Sequence, residues 1–162
     1  MQSKAEIEEW YTKPDPWGYE GTQDDIDRRS IILRTCGEAM FYDRALDIGS
    51  GEGFITAHLP AKEIEAYEIS DNAAARLPWN VRRVIKPTGK YDLIIVMGMM
   101  YAHYDFPMFL RMIREHADGL VILCNIKEWE VKEVCQLGEP VETFEFPYRE
   151  FTEVMRVYDF AS

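Results

Sequence analysis

ALDIGSGEGFIT, Ala45 to Thr56, is the stretch whose reading decides the fold. Ala45, Leu46 and Ile48 supply a buried strand, and Gly49, Gly51 and Gly53 then let the chain turn tightly with no side chain projecting toward a ligand. From Phe54 the residues suit a helix that Pro60 stops, which would aim the free amides of its first turn at the crevice beyond the strand. A strand passing through a glycine turn into a helix is the local signature of a nucleotide-cofactor site.

The dinucleotide fingerprint G-x-G-x-x-G needs a third glycine at position 54, where this chain has Phe54, so the match to NAD is imperfect. The second half of the signal lies about 20 residues on. There the apolar stretch Ile64 to Ile69 carries Glu68 near its end, where an acidic side chain accepts from both ribose hydroxyls. A glycine turn also occurs as a plain connection, and Glu68 alone would read as a solvated strand-end charge. Together, at this spacing, they favour a cofactor.

LDIGSGEG places an acidic residue and one apolar position before G-x-G-x-G, and in this it resembles motif I of the class I S-adenosylmethionine-dependent methyltransferases. The run DPWGYE, a helix, and then FYDRALDIGSGEGFITAHL is similar to the nodulation-type N-methyltransferases, which carry a DPW-containing arm before motif I. The similarity covers Asp15 to Ile69 and Tyr91 to Tyr104; elsewhere it is a match of fold only. It implies an α/β, Rossmann-like class I methyltransferase fold: a seven-stranded, mostly parallel sheet with a C-terminal antiparallel hairpin and helices on both faces. It implies a single domain, with residues 1–40 forming N-terminal helices and an arm and 41–162 the cofactor-binding sheet. It also implies S-adenosylmethionine as cofactor, held by Asp47, Gly49, Ser50, Gly51, Gly53, Glu68, Ile69 and Met97, with Trp17 reaching in from the arm. One element departs from the pattern. Family members place an acidic or polar residue after the third strand to bind the adenine amino group, but here the sequence reads VRRVIKPTGKYD. That contact stays unassigned, leaving apolar packing and backbone groups to hold the adenine.

At 162 residues the chain suits one domain with a single core. It holds 18 basic against 29 acidic residues, a formal charge of -11, which opposes a large positive field for nucleic acid and fits a small or cationic acceptor better. Arg28-Arg29 and Arg82-Arg83 read as solvated faces rather than a phosphate track. Cys36, Cys124 and Cys135 are odd in number, widely spaced and without His partners, so neither a disulfide framework nor a metal site is expected. No apolar run reaches membrane-spanning length and the acidic N-terminus lacks signal-peptide regions, so the expectation is a cytoplasmic protein without membrane contact; a homo-oligomer is compatible with it.

Along the chain, Ser3 with Glu6 predicts a capped first helix that Pro14 and Pro16 end. KPDPWGYEGT then carries Trp17 and Tyr19 in a Pro- and Gly-rich loop, which reads equally as a lid or as a loop pinned to the core by its aromatics. Thr22 with Asp25 repeats the capping box before a helix that Gly37 ends, and Ser70 or Asp71 caps a short helix. Tyr91 to Asp105 begins as a buried strand and spills into a loop holding Tyr101, His103, Tyr104 and Asp105, opposite the motif I turn. A packing helix follows Pro107, then an apolar strand, a short helix through Leu137 and two closing strands around a turn at Pro147.

Methyl transfer from a sulfonium is an in-line displacement, so alignment dominates and a base is optional. His103, Tyr101 and Tyr19 are the candidate catalytic residues, with the small-molecule acceptor, an N or an O nucleophile, lying beside them. His103 reads equally as an ordinary loop histidine. Two other functions compete: a non-catalytic S-adenosylmethionine-binding or interaction subunit, and an NAD-linked oxidoreductase, the latter opposed by Phe54 and by a chain short of a separate substrate domain.

Overall fold

Seven strands form one sheet: β1 (Tyr42–Ile48), β2 (Ala61–Tyr67), β3 (Val81–Val84), β4 (Tyr91–Met97), β5 (Ala117–Ile126), β6 (Glu142–Tyr148) and β7 (Phe151–Asp159). Their spatial order is β3-β2-β1-β4-β5-β7-β6. The first five are parallel, and β7 inserts antiparallel between β5 and β6. This is a computed structural model, describing residues 1–39 and 41–161; residue 40, which closes the N-terminal segment as divided above, lies outside the described residues.

The central strands are apolar on both faces because both faces are covered. Ala45, Leu93, Ile95, Ile122 and Cys124 point to one side, where α2 (Gln23–Cys36) lays Ile32 and Cys36 against them. The alternate residues Leu46, Ile48, Ile94, Val96 and Leu123 point to the other, against Phe109, Leu110 and Ile113 of the helix Phe106–His116. The period-2 alternation of the strands thus sorts one continuous apolar run into two cores, one on each side of the sheet. β1 pairs with β2 on one edge and β4 on the other, so successive connections diverge from its carboxyl end and leave a crevice there.

Several local expectations are corrected. The helix from Phe54 does not form: Gly53 to Leu59 makes a single tight 3-10 turn at Thr56–His58 before β2 begins. Pro60 leaves too little length to offset helix nucleation, and the Thr56 hydroxyl turns inward to donate to Asp47 at 2.6 Å. α1 (Lys4–Trp10) has the Ser3–Glu6 capping box but stops at Tyr11, ahead of both prolines. At the start of α2 the Thr22 hydroxyl donates to the Asp25 carboxylate instead of accepting a backbone amide. The hairpin turns at Arg149, which has φ 50, and Glu150; Pro147 sits within β6 opposite Thr152. β6 is an edge strand, where proline's missing N–H is tolerated.

Candidate active site

The floor of the crevice is the motif I turn. Gly49, Gly51 and Gly53 all take left-handed backbone, with φ 79, 58 and 87. A Cβ on Gly49 would meet Met99 at 2.6 Å, on Gly51 the Tyr11 hydroxyl at 2.8 Å and on Gly53 the ring of Pro78 at 2.8 Å. Both the backbone angle and the space demand glycine. Glu68 ends the extended segment after β2 and reaches across to the turn: one carboxylate oxygen accepts from the Gly51 amide at 2.7 Å, the other from the Ser70 amide at 2.9 Å. Burial pushes its pKa up, against the pull of those two amides. Arg83, expected on a solvated face, is half-buried and donates to the backbone carbonyls of Glu68 and Ile69, fixing the strand end.

Above this floor lies a cleft of 460 Å³. One wall is aromatic, made by Tyr101, Trp129, Tyr148 and Phe151, with Trp129 packed on both Tyr101 and Phe151; Ile7, Ile69, Met99 and Met108 also line the cleft. Of the candidate residues, Gly49, Glu68, Ile69, Met97, Trp17, Tyr19, Tyr101 and His103 all line the cleft. Asp47 and Ser50 open instead into a side cavity of 50 Å³ that Gly49, Met97, Tyr19 and Arg28 share. Gly51 lies beneath Tyr11, so α1 rather than open space covers it, and Gly53 lies beneath Pro78.

Asp47 is buried. One of its oxygens takes the Thr56 hydroxyl and the other has no partner. Burial first, then the negative charge of Glu68, push its pKa up to about 7. The unsatisfied acceptor is a vacant bonding position beside the glycine turn.

Sequence reasoning missed the polar residues that build the far wall. Arg28, read as solvated, is 8% exposed; its Nε donates to Glu153 at 2.6 Å and its guanidinium lies over the Tyr148 ring. Asp25 is also buried, accepting from the Tyr148 hydroxyl at 2.5 Å and from Arg149 at 2.7 Å. The available signal was the spacing of Asp25 and Arg28, three apart and in line with Ile32 and Cys36 on the inward side of α2.

The three candidate catalytic side chains differ in their settings. The Tyr101 hydroxyl accepts from the Ile126 amide at 2.8 Å and burial raises its pKa, so it anchors the loop to β5. Tyr19 stacks on Phe54 with centroids 5.6 Å apart, and burial raises its pKa too. His103 is exposed and packs on Tyr104 at 4.2 Å; partial burial lowers its pKa, which leaves the ring neutral at neutral pH. In the arm, Asp15 takes φ 47, its carboxylate accepts from the Tyr19 and Glu20 amides, and its own amide donates to Glu52 at 2.7 Å. The Trp17 carbonyl accepts from Arg149 at 2.8 Å and its indole N–H donates to Tyr11 at 3.3 Å. Among the described residues no His, Cys, Asp and Glu side chains group to hold a metal ion, and no helix is long and apolar enough to cross a membrane.

No protein-family model and no curated protein sequence matches this chain. Solved structures do. The N-methyltransferase NodS from Bradyrhizobium japonicum WM9, in complex with S-adenosyl-L-homocysteine, superposes with a TM-score of 0.81 at 15% identity, covering 96% of this chain and 97% of that one. Magnesium protoporphyrin IX methyltransferase from Synechocystis PCC 6803, with bound S-adenosylmethionine, gives 0.75 at 14% identity over 100% and 98% of the two chains. The chain therefore has the class I methyltransferase fold, as its motif I and closing hairpin implied.

Proposed function

We propose that the protein transfers a methyl group from S-adenosylmethionine to a nitrogen or oxygen atom of a small-molecule acceptor. The observation that carries this reading is the clasp of Glu68 onto the Gly51 amide at the floor of a cleft, in a fold shared with methyltransferases solved with S-adenosylmethionine or its product. The residues present fit such a cofactor. Glu68 would accept from the ribose hydroxyls, Gly49 would let the cofactor approach its backbone where it lines the cleft, and the unpaired oxygen of Asp47 would accept from an ammonium group. Arg28, lining both cleft and side cavity, would receive a carboxylate.

When bound, the cofactor supplies a methyl group on a sulfonium whose departure leaves a neutral thioether. The protein's task is then alignment and exclusion of water. Positioning of two reactants contributes on the order of 7–11 kcal/mol, against a factor of about 10²–10⁴ for one general base. The aromatic wall of Tyr101, Trp129, Tyr148 and Phe151 orients the acceptor and keeps water out. His103, which lines the cleft and whose pKa is lowered by partial burial, would take a proton from the acceptor. Tyr101 and Tyr19 act by position, since burial opposes their ionisation.

Purified protein should bind S-adenosylmethionine and S-adenosylhomocysteine in calorimetry, and should release the latter when mixed with a small-amine or small-alcohol metabolite pool. Binding of NAD without sulfonium binding would overturn the reading. Binding without coproduct against any pool would favour a non-catalytic cofactor-binding subunit.

A further inference from the structure

The adenine contact that the segment after β3 does not supply has another source in this structure. Gln2 lies immediately before α1, and its backbone amide donates to the His103 carbonyl at 2.8 Å, which ties the N-terminal segment to the loop after β4. Its side-chain oxygen is buried and has no hydrogen-bond partner. Gln2 lines the main cleft, as do Ile7, Ile69, Met99 and Met108. A buried amide oxygen without a partner is costly, and it is explained when a ligand completes it.

The apolar part of the lining has a specific chemistry. Ile7 of α1 and Ile69 pack together, and Met99 and Met108 line the same cleft as flexible, polarizable side chains suited to the flat faces of a heterocycle. A flat base held in such a slot presents its edge to whatever polar group lies at the rim. A carboxamide is the side chain that matches adenine, because its oxygen accepts from the exocyclic amine while its NH2 donates to a ring nitrogen.

We infer that Gln2 reads the adenine edge of the cofactor, its side-chain oxygen accepting from the 6-amino group. This rests on the proposed cofactor and assigns a residue to recognise its base. The segment Val81 to Lys86, where a polar contact was sought, supplies no residue to the cleft lining, and the N-terminal segment takes over that role. α1 is held over the site by Lys4 to Asp71 at 3.1 Å and by the Glu8 carbonyl accepting from Asn72, so Gln2 is presented on a fixed element.

The test compares calorimetric affinities for S-adenosylhomocysteine and for its purine analogue, which carries hydrogen in place of the 6-amino group. The wild-type protein should prefer the amino compound by about tenfold, the usual effect of removing one hydrogen bond at a buried site. Gln2→Leu should weaken S-adenosylhomocysteine about tenfold more than it weakens the analogue, and so abolish the preference. Retention of the preference in Gln2→Leu would overturn the inference, and so would equal weakening of both ligands, which would make Gln2 only a tether for the arm. Failure of the wild-type protein to bind either compound would instead refute the cofactor itself, and with it the assignment of Gln2.

Discussion

The floor of the cleft is made by residues close in the chain, Gly49 to Gly53 and Glu68, with the Glu68 carboxylate 17 positions from the amide it clasps. The far wall is made by partners 125 and 123 positions apart, Arg28 with Glu153 and Asp25 with Tyr148. The floor uses backbone: left-handed glycines, amides pointing at a carboxylate, and an aspartate oxygen with no partner. The wall uses buried charge, which is stable only while each group keeps its counterpart. The two regions should therefore fail differently. Damage to the wall should be read first in stability, and damage to the floor first in ligand affinity.

The largest expected effect is in the wall. Arg28→Met leaves the Glu153 carboxylate, 1% exposed, without its cation, and should cost about 3–5 kcal/mol in urea unfolding. Replacing both residues, Arg28→Met with Glu153→Leu, should restore most of that loss while cofactor affinity stays low. A single variant as stable as the wild type would erase the distinction between wall and floor.

Next comes Asp47, the floor residue whose buried carboxyl also bears on stability, and the sign of its pH dependence is informative. Its folded pKa of about 7 lies above the unfolded value of about 3.9, so folding favours the protonated form. The stability this contributes is full below about pH 4 and is lost as pH rises through about 7. Asp47→Asn keeps an acceptor for Thr56 and removes the titration. The variant should match the wild type at pH 4 and exceed its stability at pH 8 by on the order of 2–4 kcal/mol, measured by urea unfolding at both values. An equal difference at the two pH values would mean that Asp47 ionises normally in the fold.

A smaller effect is expected at Glu68, and in affinity rather than stability. Glu68→Gln keeps one acceptor for the turn and loses the charge, so S-adenosylhomocysteine should bind more weakly by about 1–3 kcal/mol in calorimetry. Unchanged affinity would remove Glu68 from the site and leave it as a brace for Gly51 and Ser70.

The same contrast explains what was legible in the sequence. β4 and β5 announce themselves as apolar runs, and motif I with Glu68 is a local pattern, so the central strands and the cleft floor follow from residues near one another, while the seven-stranded sheet with its closing hairpin is implied by the resemblance. The helix after Phe54 was over-read because the glycine pattern carries an expectation of a following helix, whereas Pro60 and the inward Thr56 hydroxyl limit it to one turn. Arg28 and Asp25 were misread because the groups that hold them inward are remote in sequence, on β7 and at the end of β6. Gln2 carried no signal, being a single polar residue whose significance is only that its oxygen is buried without a partner.

The arm joins the two regions, and it carries the smallest stability effect. Asp15 folds the arm on itself by accepting from Tyr19 and Glu20, while three bonds tie it outward, from its own amide to Glu52 beside the floor, from Arg149 of the hairpin to the Trp17 carbonyl, and from the Trp17 indole N–H to the Tyr11 hydroxyl. Such a unit can swing as one body once those three bonds open, and Trp17 is already 37% exposed. Trp17→Ala should therefore lower stability by about 1 kcal/mol or less, within the range of partly exposed sites. A lid that closes over the cofactor predicts more than that: the amides of Gly18 to Glu20 should exchange together in the free protein and gain at least about tenfold protection with S-adenosylhomocysteine bound. Turnover in Trp17→Ala should then fall further than its melting temperature suggests, because water reaches the reacting atoms. Equal protection with and without ligand would make the arm a fixed part of the wall, and the acceptor would have to be positioned by Tyr101 and His103 without it.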